Sequence, residues 1–315
     1  MTNELKIALA QINPTVGDIA GNADLVRAAR REANALGADL VVFGELVLCG
    51  YPPEDLVLKS AFQDAVAVTM QDLAAETADG GPGLLVTAPW RSEGLLHNAV
   101  LLLDGGEIAA VRYKHDLPNY GVFDEKRVFA AGPLPGPVNF RGIRLGVPIC
   151  EDIWTPDVCE CLAETGAEIL IVSNGSPFED GKFDVRLNHA VARILETHLP
   201  IVYVNQVGGQ DELVFDGGSF VINADHSLAL QMPTFASGLA ITAWRRVDDD
   251  WVCAQGPVAA PHEGLSAIYR AMTLGLRDYV NKNRFPGVVL GLSGGIDSAL
   301  SAAVAVDALG PDRVW

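Results

Sequence analysis

Over residues 5–205 short apolar runs alternate with longer stretches of helical periodicity, and that alternation admits few architectures. Leu5–Ala10, Asp39–Phe43, Leu84–Ala88, Ile143–Ile149, Ile169–Val172 and Ile201–Asn205 read as strands. Between them, helices are predicted over about Ala23–Leu36, Ser60–Thr77, Thr155–Thr165 and Asp184–His198, the first with Asn22 as N-cap and Gly37 as its stop. Asp104-Gly105-Gly106, flanked by His97–Leu103 and Glu107–Tyr113, is a hairpin signal. Ser219–Asn223, Leu228–Gln231, Leu239–Arg245 and Trp251–Ala254 read as hairpin strands that close the domain, with Asp248–Asp250 a solvated tip. The fold class is α/β, a mixed sheet with helices on its outer faces.

Composition shifts at G-P-V-A-A-P, and the chain divides into a first domain over 1–256, a linker over 257–262 and a second unit over 263–315. The second unit reads as a helix over Glu263–Asn283, a buried strand at Val288–Leu290 and a helix from about Asp297, with Trp315 inside a new strand. So short a segment cannot close an α/β core, which takes about 100 residues. The expectation is a second domain that is cut short or completed by another chain.

A net charge of −18 argues against duplex nucleic acid as a partner, because phosphates are held mainly by Lys and Arg. Cys49, Cys150, Cys159, Cys161 and Cys253 form no C-x-x-C pair and no disulfide framework, which fits a reducing compartment. The opening M-T-N-E-L-K-I-A-L-A is not a signal peptide, and no apolar run approaches the roughly 20 residues of a membrane span. A cytoplasmic protein with no membrane association is expected.

Three reactive side chains fall at or just past strand ends, where sites gather in α/β sheets: Glu45, Lys114 and Cys150. Cys150 follows the run Ile143–Ile149 and precedes two acids and a Trp. A thiol attacks as its thiolate and needs a neighbour to take its proton. A carboxylate, an ammonium and a thiol together make an acyl-transfer set, with base, oxyanion partner and nucleophile. Taken singly, Glu45 and Lys114 read equally as surface charges, and Cys150 as an inert core thiol. The segments Cys49–Asp55 and Lys114–Pro137 are irregular, and the longer one carries unusual aromatic and charged residues, as functional loops do.

A second constellation is V-L-G-L-S-G-G-I-D-S-A-L at 289–300. It matches G-x-S-x-G formally, but the serine-hydrolase triad places its His after the Ser, and the last histidine is His262. No G-K-[ST] follows, so it is not a Walker loop. What remains is a glycine-rich turn opening a helix, whose free N–H groups suit phosphate. The six histidines have no metal-ligand spacing, Cys159-Glu160-Cys161 reads as one helix's buried and exposed pair, and no structural metal is predicted.

F-G-E-L-V-L-C-G-Y-P-P-E-D-L (43–56), Y-K-H-D-L-P-N-Y-G-V-F-D-E-K-R (113–127) and G-V-P-I-C-E-D-I-W (146–154) resemble the three signature segments of the nitrilase (carbon–nitrogen hydrolase) superfamily. They are most similar to its glutaminase branch, which is fused in glutamine-dependent NAD⁺ synthetases; N-G-S-P-F-E-D-G-K (174–182) resembles that branch's substrate loop. The resemblance implies Glu45 as general base, Lys114 as oxyanion partner, Cys150 as nucleophile and Glu125 as the acid that orients the lysine. It implies glutamine contacts from Tyr120, Ser176 and Lys182, with Tyr51, Glu151 and Trp154 as pocket walls; Tyr51 and Trp154 also read as core aromatics. S-G-G-I-D-S resembles the pyrophosphate loop of the ATP-pyrophosphatase family, which implies an ATP site on Gly291, Leu292, Ser293, Gly294, Gly295, Ile296, Asp297 and Ser298, Asp297 in a capping or metal-linked role. By resemblance the fold is a four-layer α-β-β-α sandwich followed by the start of a doubly wound α/β nucleotide-binding domain. The implied ligands are L-glutamine, ATP with Mg²⁺, and deamido-NAD⁺, with no cofactor for the glutaminase half and association into a homo-oligomer. Two other readings stay open: a stand-alone amidase acting on another amide, and a non-catalytic assembly module.

Overall fold

A computed structural model describes residues 3–315. The strands are β1 (Glu4–Gln11), β2 (Leu40–Phe43), β3 (Gly83–Ser92), β4 (Leu95–Asp104), β5 (Glu107–Tyr113), β6 (Val138–Phe140), β7 (Ile143–Gly146), β8 (Ile169–Asn174), β9 (Ile201–Asn205), β10 (Val207–Gln210), β11 (Leu213–Asp216), β12 (Phe220–Ile222), β13 (Leu228–Gln231), β14 (Gly238–Val247) and β15 (Asp250–Cys253). The helices are α1 (Ile19–Ala35), α2 (Ser60–Glu76), α3 (Glu125–Val128), α4 (Asp157–Glu164), α5 (Lys182–Thr197), α6 (Gly264–Lys282) and α7 (Ile296–Leu309).

Two mixed sheets carry the fold. One runs β15-β14-β1-β2-β3-β4-β5 and the other β13-β12-β9-β8-β7-β6. Successive side chains on a strand point to opposite faces, and here both faces are buried. Leu5, Ile7 and Leu9 of β1 and Leu40 and Val42 of β2 meet Leu145, Ile169, Ile171, Val202 and Val204 of the other sheet. Their neighbours Ala8, Ala10, Val41 and Phe43 face outward onto Ala23, Val26, Val66 and Met70 of α1 and α2. Leu170, Val172 and Tyr203 likewise face Val158, Leu162, Ala190 and Ile194 of α4 and α5. Helix, sheet, sheet, helix: this is the four-layer sandwich that the resemblance implied. Each fully buried Leu or Val contributes about 1.5–3 kcal/mol by leaving water.

The hairpin signal is realised. Gly105 and Gly106 take φ of +63° and +92°, the pair of positive values that a two-residue primed turn demands. Other expectations shift. Helix α1 begins one turn early, capped by Asp18, which accepts from Gly21 N at 3.0 Å; Asn22 instead lies inside the helix, buried, and bonds Thr15 and Leu48. The strand predicted over Ile143–Ile149 stops at Gly146, because Pro148 has no N–H for the ladder; Ile149 rejoins only as a single parallel bridge to Ser173. The predicted buried strand Val288–Leu290 is a lone bridge from Val288 to Val314, with Val289 83% exposed, since no described residue covers that face.

Residues 257–262 run along the edge of β13, with Gln231 N donating to Pro257 O and Ala259 N to Gln231 O. Helix α6 then packs on the hairpin β10–β11, which the sequence reading missed. Gly209 and Gly275 allow a close approach: a Cβ on Gly209 would stand 2.8 Å from Gly275 Cα. Asp278 accepts from Gly209 N at 2.8 Å and Asn13 Nδ2 at 2.7 Å, while Lys282 Nζ donates to Pro14 O and Gly209 O, each at 2.8 Å.

Candidate active site

Cys150 opens a short 3-10 turn, Cys150–Ile153, beyond the broken end of β7. Its φ is +47°, in the left-handed region, and its side chain is buried. Asp152 fixes this turn. Its Oδ2 accepts from Ile149 N at 2.9 Å, and its Oδ1 accepts from His115 N at 3.0 Å and Asp116 N at 2.8 Å. One carboxylate therefore joins the backbone before Cys150 to the backbone after Lys114. Burial lifts Asp152 to about 7 against the pull of those N–H donors.

Glu45 follows β2, held by its own N–H on Asn174 O at 3.1 Å. The preceding Gly44 permits that approach, because a Cβ there would stand 2.9 Å from the same oxygen. Lys114 follows β5, with its N–H on Asn98 O at 2.8 Å, and Glu125 opens α3. The three side chains meet in the interior. Lys114 Nζ lies 2.6 Å from Glu45 Oε1 and 2.8 Å from Glu125 Oε1. Tyr51 Oη donates to Glu125 Oε1 at 2.8 Å, and Gly175 N donates to Glu45 Oε2 at 3.1 Å. Asn98 Nδ2 donates to Glu45 Oε1 at 2.7 Å and reaches Glu125 Oε2 at 3.4 Å.

Burial by itself would lower the Lys114 ammonium, but Glu125 and Glu45 outweigh it and hold the group well above its usual range, so it stays charged. Burial pushes the Cys150 thiol well up, Glu45 adds to the push, and Lys114 opposes it. Glu125 is raised by burial against the Lys114 charge. The result is a protonated thiol beside a permanent cation and two carboxylates. Such a set can move the thiol proton to a carboxylate and offer a cation to a developing oxyanion.

Around this cluster, Tyr120, about half exposed, donates to both Glu151 oxygens at 2.9 and 3.0 Å, and burial raises Glu151. Phe123 lies between Tyr51 and Tyr120, with ring centroids 6.3 and 5.6 Å away, and Lys182 Nζ sits 5.8 Å from the Phe123 ring while paired with Glu179 at 2.7 Å. Ser176 is buried and accepts from Arg186 Nε at 3.0 Å; Arg186 also pairs with Asp216 at 2.8 Å. Trp154 stands apart from this group: it stacks on His189 at 4.3 Å and packs with the outer-face core under α4 and α5. Asn98, Asp152 and Arg186 are the residues that sequence reasoning missed. The signal for Asn98 and Arg186 was a polar side chain inside an apolar or helical stretch, and for Asp152 its place as the second of the two acids after Cys150.

The loop 291–298 is solvent-facing and leads into α7, whose N-cap is Gly295. Ser298 Oγ accepts from Ser293 N at 3.3 Å, and Ser293 Oγ lies 3.1 Å from Ser298 Oγ. Asp297 is exposed and makes no capping bond, so the capping part of its expected role is not realised. The uncapped first turn and two hydroxyls fit phosphate. No group of three His, Cys, Asp or Glu side chains converges as a metal site among the described residues, nor does any helix there have the length and apolarity to cross a membrane.

Comparison with known proteins accords with this geometry. The Carbon-nitrogen hydrolase family matches residues 6–248, and the NAD synthase family matches residues 268–315. The chain is 48% identical over 314 residues to the glutamine-dependent NAD(+) synthetase of Rhodobacter capsulatus, covering 100% of this chain and 57% of that protein. The glutamine-dependent NAD⁺ synthetase of Acinetobacter baumannii, solved with ADP, superposes with a TM-score of 0.93 at 39% identity, covering 99% of this chain and 58% of the other. A mutant of the amidase from Nesterenkonia sp. AN1, described as showing Michael addition of acrylamide at its active-site cysteine, superposes with a TM-score of 0.67 at 26% identity, covering 78% and 94%. The chain thus spans little more than half the length of the synthetases it matches. By a match over most of its own length, the chain belongs to the carbon–nitrogen hydrolase family.

Proposed function

We propose that this chain is the glutaminase domain, with the opening of the synthetase domain, of a glutamine-dependent NAD⁺ synthetase, divided at 1–256, 257–262 and 263–315. The observation that carries the reading is Cys150, buried as a thiol within the field of Glu45, Lys114 and Glu125. Glu45 takes the thiol proton through Oε2, and the sulfur attacks the side-chain amide carbon of glutamine. Lys114 faces the tetrahedral oxyanion. Collapse expels ammonia, with the proton returned from Glu45, and leaves a glutamyl thioester. Glu45 then draws a proton from water, whose oxygen attacks the thioester and releases glutamate and the thiol. Tyr120, Glu151, Ser176 and Lys182 line the approach to Cys150, with Tyr51 behind Glu125.

In the full enzyme the ammonia is consumed at an ATP site begun by residues 291–298, where deamido-NAD⁺ is adenylated with loss of pyrophosphate and ammonia displaces AMP to give NAD⁺. Mg²⁺ accompanies the ATP, and among the described residues no group of three His, Cys, Asp or Glu side chains converges to hold it. The enzyme works in the cytoplasm as an assembly of several copies. The test is intact-mass and peptide analysis after reaction with 6-diazo-5-oxonorleucine. A single adduct on Cys150, slowed by glutamine and lost in Cys150→Ala, is expected; adducts on other cysteines, or none, would overturn the reading.

A further inference from the structure

Asn98 lies inside β4, fully buried, in a run that is otherwise apolar toward its carboxyl end. Asparagine is a poor strand former, and this one faces Pro89 across the β3–β4 register. Its side chain nevertheless bridges the two carboxylates of the ion cluster, at 2.7 Å from Glu45 Oε1 and 3.4 Å from Glu125 Oε2. Between two carboxylates the amide nitrogen must face them, because only that end carries hydrogens. The opposite end, Oδ1, is buried and has no partner. Its hydrogen-bonding capacity is therefore directed to the two carboxylates.

The bonds to Glu45 are unequal. Oε1 is filled by Asn98 and Lys114, whereas Oε2 has only Gly175 N–H at 3.1 Å. A carboxylate held at one oxygen by two donors cannot rotate without breaking both, and it presents its other oxygen in one direction. Lys114 cannot hold it alone through a catalytic cycle, because the same ammonium is needed by the oxyanion.

We propose that Asn98 is a positioning residue for the general base: it keeps Glu45 anchored by Oε1 while Lys114 turns to the substrate, so that Oε2 stays aimed as the proton acceptor for Cys150. This rests on the glutaminase reading above. Shape and donor capacity are separable here, since Asn98→Asp keeps the outline but replaces the donor with a third carboxylate, Asn98→Ser keeps one donor, and Asn98→Ala keeps none.

The experiment measures kcat and KM for glutamine hydrolysis, and separately the rate at which iodoacetamide alkylates Cys150, for all four proteins. A charge-assisted donor is lost in the Ala variant, so kcat should fall about 10- to 100-fold with KM changed less than about threefold. Activity should follow the order Asn, Ser, Ala, Asp, and alkylation should follow it too. If Asp equals or exceeds Ala, or the loss falls on KM rather than kcat, Asn98 serves packing and the proposal fails. The alkylation series needs no substrate. A wild type that is inert to glutamine but whose Cys150 alkylation falls in that order would sink the glutaminase reading and leave the positioning role standing.

Discussion

Lys114 and Glu45 meet at 2.6 Å, and neither side chain has any solvent-accessible surface. With Glu125 also at the ammonium, one cation is shared by two acidic side chains in the interior. Removing one partner from a buried ion pair leaves an uncompensated charge, at a cost of about 3–5 kcal/mol. Lys114→Met should therefore lower stability by that order in urea unfolding near neutral pH, besides abolishing glutamine hydrolysis. The loss should shrink at acid pH, where the stranded carboxylates take protons; an unchanged urea midpoint would contradict the burial of the pair.

Cys150 is held as a thiol by its burial and by Glu45. The ultraviolet absorbance of thiolate, taken as the difference between wild type and Cys150→Ala, should be absent from pH 6 to 8. The nucleophile is then made only in the presence of substrate and base. A thiolate signal at neutral pH would mean that Lys114 dominates the site.

Asp152 has a folded value of about 7, above the ordinary carboxylate value of 3.8, because it is buried. A group raised in the fold contributes stability that is fully present below its unfolded value and lost as pH rises through its folded value. Between pH 4 and 8 the wild type should lose a few kcal/mol relative to Asp152→Asn, whatever the offset between them. Melting temperatures of both proteins across that window give the slope; parallel curves would refute it.

Asp278 binds the second unit to the first through Gly209 N and Asn13 Nδ2. Asp278→Ala leaves the buried Gly209 N–H without an acceptor, at about 1–3 kcal/mol, and frees the half-buried Asn13 amide. Hydrogen exchange at Gly209 and proteolysis within 257–263 should both accelerate, while the β1–β9 core keeps its protection. Uniform acceleration across the chain would mean that α6 is not docked separately.

Much of this was legible before any coordinates. Alternating runs specify the sheets and their helices, Gly105-Gly106 specifies its turn, and Glu45, Lys114 and Cys150 advertise themselves by standing where strands end. What stayed hidden has a common cause. Pro148 cuts a strand that its apolar neighbours continue, and Gly208-Gly209 conceals β10 because glycine carries no strand signal. Asn98 bonds Glu45 across 53 residues, and Asp152, besides its local bond to Ile149 N, reaches His115 across 37. Polar residues in buried strands are mute in sequence until the fold brings their acceptors to them.

The left-handed backbone at Cys150, φ +47°, narrows which chemistries this position can ever host. A residue branched at Cβ is a severe outlier in that conformation, whereas an unbranched one is tolerated. Among hydroxyl nucleophiles, serine can therefore be exchanged in and threonine cannot. Any drift from sulfur to oxygen at this turn has a single road, and it runs through a hydroxyl, which is far harder to deprotonate than a thiol.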